Sequence, residues 1–140
     1  MRKPKVYLAG AMSGLTLEEM NQWRLMANSS LKDNFETINP CDYYNLMFDT
    51  DTYSELEVKK FDLWAVKHSD IILVNLDCPN SIGTAIELQM AFDVWHKPVI
   101  AYGGNNAFVH PWILLSITKR CNKLKEAVTY INEYYGSILN

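Results

Sequence analysis

The chain has 140 residues, about one domain at ~100–200 residues per domain, and long enough to enclose one sizeable core. Hydrophobic residues make up 49% and charged residues 21%, which excludes wholesale disorder and a fold held mainly by disulfides. Thirteen basic and sixteen acidic residues leave a net charge of −3, so a polycationic binder of nucleic-acid polymers is excluded too.

The opening Met1 to Lys5 is basic, but the apolar run at 6–10 is too short for a secretory leader. Val6, Tyr7, Leu8 and Ala9 then predict a short buried strand that stops at Gly10, followed by a small-residue loop over 11–14. Thr16 with Glu19 three residues on has capping-box spacing. The helix expected over 19–31 carries Met20, Trp23, Ala27 and Leu31 on one face. A second strand is expected over 35–38, closed by Asn39-Pro40.

Residues 41–54 have no clean period and mix tyrosines with Met47, Phe48 and aspartates, which predicts a long functional loop or lid with a short helix. A helix over 55–68 follows, its expected apolar stripe being Leu56, Val58, Phe61 and Ala65. Residues 70–76 hold the clearest buried strand, Ile71-Ile72-Leu73-Val74. Next come a helix over 83–95, a strand over 98–102, a loop with an apolar stretch at 112–117 and a terminal helix over 122–134. Strands alternating with helices predict one α/β domain over 1–140: a three-layer sandwich on a parallel sheet of about five strands, flavodoxin- or Rossmann-like.

No run approaches ~18 consecutive apolar residues, so no membrane span is expected. Cys41, Cys78 and Cys121 are odd in number and widely spaced, as reduced cytoplasmic thiols are. His68, His96 and His110 add no close ligand spacing, so neither a metal nor a cofactor is expected.

Ligands of open parallel sheets bind beyond the C-terminal strand ends. Three features meet there. The first stretch, including Ala9, Gly10, Met12, Ser13 and Gly14, lets a ligand approach the backbone; an ordinary strand-to-helix turn is the alternative. The second, 75–87, brings Asp77, Gly83, a helix cap in Thr84 or Ser81, and then Glu87. Ile82, Ala85, Ile86, Leu88, Met90 and Ala91 make that helix look buried, where a carboxylate is costly unless paired or functional. The third is Asp62 within Phe61-Asp62-Leu63-Trp64. For Glu87 and Asp62 alike, a solvent-facing helix acid is the alternative.

These motifs resemble the nucleoside 2-deoxyribosyltransferase family, which includes deoxynucleoside 5'-monophosphate N-glycosidases. The resemblance rests on Tyr7-Leu8-Ala9-Gly10, on Asp62 before the Asp70-Ile71-Ile72-Leu73-Val74 strand, and on Asn80-Ser81-Ile82-Gly83-Thr84-Ala85-Ile86-Glu87-Leu88 followed by Ala91. It implies that Glu87 attacks the anomeric carbon of a 2-deoxyribosyl group, that Asp62 contacts or protonates the base, and that Tyr7 orients the nucleophile. The glycosyl ester then passes to a second nucleobase or to water.

The family's transferases commonly carry an aspartate six residues before the nucleophile, where this chain has Ser81. Serine there is closer to the monophosphate N-glycosidases. Those enzymes usually carry an arginine in the first glycine-containing loop, and this loop has none. Nucleobase exchange is the leading expectation, with hydrolysis of a nucleoside 5'-monophosphate second and an inactive nucleotide-binding module third. The resemblance further implies a homodimer or higher homo-oligomer with shared sites, for which Asn105, Asn106 and the C-terminal Asn140 are candidate contributors. Trp64, Trp95, Trp112, Tyr134 and Tyr135 suit either such an interface or a crowded core.

Overall fold

The apolar runs become the middle of a sheet. In a computed structural model that describes residues 2–140, β1 (Lys5–Gly10), β3 (Ile71–Asn75) and β4 (Val99–Tyr102) form its centre. Short strands β2 (Glu36–Ile38) and β5 (Lys119–Cys121) flank them, in the all-parallel order β2-β1-β3-β4-β5. Val6 pairs with Ile71 and Gly10 with Asn75, while Asn75 also pairs with Tyr102. The C-terminal ends of the three central strands therefore finish level.

Alternation along the strands divides the interior into two cores. Val6, Leu8, Ile71, Leu73 and Ile100 meet Trp23, Ala27 and Leu31 of α1 (Leu17–Leu31) and Ala127 and Val128 of α6 (Leu124–Tyr130). Tyr7, Ala9, Ile72, Val74 and Val99 face Ala65 and Val66 of α3 (Glu55–Lys67) and Leu88 of α4 (Ile82–Gln89). Each fully buried aliphatic side chain here contributes roughly 1.5–3 kcal/mol. The result is a three-layer α/β sandwich of flavodoxin/Rossmann type.

Two helix starts follow directly from the sequence. Thr16 and Ser54 cap α1 and α3, each in a capping box completed by Glu19 or Glu57. Between β2 and α3 the chain makes a 3-10 turn (Pro40–Tyr43) and a short α2 (Tyr44–Met47), so the irregular stretch does hold short helices.

Four expectations need correction. On α3, Leu56 and Phe61 are exposed, and Ala65 and Val66 form the buried pair. Asp62 and Leu63 turn toward a cavity, which rotates Phe61 outward. On α4, Ile82 and Ile86 are also exposed, because Thr84, Leu88 and Ala91 take the face toward the sheet. The strand β5 falls in a stretch read as loop; its exposed Lys119 and Arg120 leave no apolar alternation to detect.

The fourth correction concerns the C-terminus. The terminal helical segment runs past 134: α6 passes through a π-helical turn (Ile131–Tyr135) into α7 (Gly136–Leu139). A matching π-helical turn (Met90–Val94) prolongs α4, and the apolar stretch near 112–117 contributes the four-residue α5 (Pro111–Leu114). Among the described residues, no helix is long and apolar enough to cross a membrane.

Candidate active site

Tyr7 points from β1 into the α3–α4 layer and is almost fully buried. Its hydroxyl donates to Glu87 Oε2 at 2.5 Å. Glu87 reaches that position because α4 starts at the end of β3 under the Ser81 cap. The Ser81 hydroxyl oxygen accepts from Thr84 N–H at 3.2 Å and from the Thr84 hydroxyl at 3.0 Å. Asp62 approaches from α3, beside the same carboxylate.

A cavity of about 840 Å³ opens over these groups. Gly10, Met12, Ser13, Asp62, Asp77, Ser81, Gly83 and Glu87 all line it, so eight of the expected site residues converge. Tyr7 lies beneath it, behind Glu87. Ala9 is buried in the core, Gly14 forms an exposed turn with φ +81°, and Asn106 sits on an exposed turn after β4. None of these last three is among the lining residues. Asp77 has a second duty: its Oδ1 accepts from Gly104 N–H at 3.0 Å. Gly103, at φ +83°, packs against that carboxylate where any Cβ would collide.

Burial raises both carboxyls above the ordinary carboxylate range. Asp62 is pushed up to about 6, with Arg24 pulling the other way. Glu87 is pushed up to about 8, and the Tyr7 hydrogen bond and Arg24 oppose the rise. Burial, together with the charges of Glu87 and Asp62, pushes the Tyr7 phenol well up, so it stays protonated and donates. The two carboxyls interact and titrate as a pair that holds one proton between about 6 and about 8. Tyr7 donates to Glu87, while Asp62 Oδ1 is buried with no donor.

Met47 and Phe48, from the stretch expected to be a functional loop or lid, line the cavity, as does Lys59, which the sequence did not single out. Tyr43 lies in the 3-10 turn, with its ring edge-on to Phe61 at 5.1 Å. Arg24 is fully buried: Nε donates to Leu8 O at 3.1 Å, while the terminal nitrogens reach Met20 O at 2.5 Å and Gly10 O at 3.1 Å. Its signal was an arginine on the stripe of Met20, Ala27 and Leu31. Among the described residues, no group of three or more His, Cys, Asp or Glu is arranged to hold a metal ion.

No family model and no curated protein matches the chain. Solved structures do. A conserved protein from Enterococcus faecalis V583 superposes with a TM-score of 0.77 at 16% identity, over 94% of this chain and 98% of its own. A 2-deoxyribosyltransferase from Bacillus psychrosaccharolyticus gives 0.70 at 23% identity, over 90% and 91%. The CMP N-glycosidase BcmB from Clostridium botulinum gives 0.59 at 20%, over 93% and 98%. The fold of this chain is therefore the one that these transferase and N-glycosidase structures share.

Proposed function

We propose that the protein transfers a 2-deoxyribosyl group between nucleobases through a covalent ester on Glu87. The observation that carries this reading is the Tyr7–Glu87 hydrogen bond beside Asp62 in one cavity. Tyr7 fixes one carboxylate oxygen, and the other is free to attack the anomeric carbon. As the C–N bond breaks, its electron pair leaves with the base and the Asp62 proton passes to a base nitrogen. The Glu87 C–O bond forms in the same step. A second base then attacks the ester, with Asp62 taking its proton. Stabilisation of an oxocarbenium-like transition state by the adjacent carboxylate supplies the electrostatic part.

The substrate implied is a neutral 2'-deoxynucleoside with a free nucleobase as acceptor. Hydrolysis of a nucleoside 5'-monophosphate is the second reading, supported by the hydroxyls of Ser13 and Ser81 and by the fold shared with an N-glycosidase. The cation count favours the first. Arg24 spends its donors on backbone carbonyls, and Lys59 is the one cation among the lining residues. Incubation with a deoxynucleoside and a different free base should yield the exchanged nucleoside. Free deoxyribose alone, or a strong preference for the monophosphate, would select hydrolysis; binding without any product would leave only a binding module.

A further inference from the structure

Among the described residues, two buried side-chain polar atoms have no hydrogen-bond partner, the Tyr43 hydroxyl and Asp62 Oδ1. One is a donor and the other an acceptor. Buried polar groups are nearly always bonded, so two complementary orphans in one place call for a common explanation. They come from different elements: Tyr43 from the turn after β2, Asp62 from the middle of α3, with Phe61 holding the tyrosine ring. Burial opposes ionisation of the Tyr43 phenol, and the charges of Asp62 and Glu87 oppose it further. That phenol therefore keeps its proton and can only give a hydrogen bond to a carboxylate.

We propose that Tyr43 is the positioning residue of Asp62: its hydroxyl donates to Oδ1 once the carboxyl has passed its proton to the departing base. Tyr43 keeps its own proton throughout, and the proton that moves is the one on Asp62. In this structure the two atoms are not hydrogen-bonded to each other; once the acid is ionised, the phenol is a donor with no other partner. The other groups facing Asp62 do not serve. Arg24 from α1 is bound to carbonyls, Tyr7 from β1 is committed to Glu87, Glu87 from α4 is itself an acceptor, and Lys59 one turn back on α3 is exposed. This assignment rests on the proposed glycosyl chemistry for its catalytic meaning, though not for its geometry.

Tyr43→Phe removes one oxygen and keeps the ring against Phe61, so the fold is preserved. The full-length protein, labelled with 13C at aspartate carboxyls, is titrated by NMR, with Asp62→Asn identifying the resonance. Loss of the donor should raise the Asp62 midpoint by about one unit. Cleavage of a deoxynucleoside should slow about tenfold at unchanged KM, and Tyr43→Phe should have no further effect in the Asp62→Asn background. An Asp62 midpoint that stays put or falls would overturn the proposal. A wild-type protein that cleaves no nucleoside would instead sink the functional reading, and the titration would still decide the role of Tyr43.

Discussion

Glu87 is where local energetics and chemistry pull in opposite directions. A carboxylate nucleophile is most reactive when poorly solvated, and burial makes its charged form costly. Its raised folded value has a consequence for stability. The native state retains a proton that the unfolded chain releases, so this contribution is complete at low pH and is lost as pH rises from the ordinary carboxylate range through about 8. Glu87→Gln keeps the Tyr7 hydrogen bond and removes the ionisation. Urea unfolding should therefore show the variant more stable than wild type at pH 9, by on the order of 1–4 kcal/mol, and similar near pH 4. No gain at pH 9 would mean that the carboxylate is well solvated in the folded protein.

At the scale of elements, the legible features were the ones that local chemistry dictates. The capping box of Thr16 and Glu19, the helix over 19–31 and the apolar runs of β1, β3 and β4 stand in the structure close to where the residues put them. The parts hidden from sequence reading depend on tertiary contacts. β5 exists because β4 offers an edge, with Tyr102 pairing to Cys121, and not because Lys119-Arg120-Cys121 has strand character. The inward face of α3 could not be chosen by apolar periodicity, since a cavity takes Asp62 and leaves Phe61 outside. The meeting of Asp62 with Glu87 beyond the strand ends was legible from strand topology, whereas Tyr43 was marked only as part of an aromatic functional loop, with no pattern to pair it with Asp62.

The whole molecule leaves more apolar surface uncovered than its own cores require. Ile82 on α4 is 78% exposed, Trp112 on α5 is 77% exposed, and Phe108 and Leu115 beside α5 are similarly open. Scattered apolar residues are ordinary, but several on neighbouring elements such as α4 and α5 mark a surface that associates. Trp64 and Tyr134 are exposed as well, so they do not belong to a crowded core. We infer that the protein assembles as a dimer or higher homo-oligomer through the α4–α5 surface. Sedimentation velocity should find the assembly at micromolar concentration, and Trp112→Glu should yield a folded monomer; a wild-type protein that remains monomeric would remove this element of the account.

The central claim is that Glu87 becomes covalently glycosylated. Acid quenching of the protein with a 2'-deoxynucleoside and no acceptor base, followed by peptide mass spectrometry, tests it most directly. One 2-deoxyribosyl group is expected on the peptide that carries Glu87, absent from Glu87→Gln, with the base released in matching amount. Base release at an undiminished rate from Glu87→Gln, with no adduct on the wild-type peptide, would contradict it.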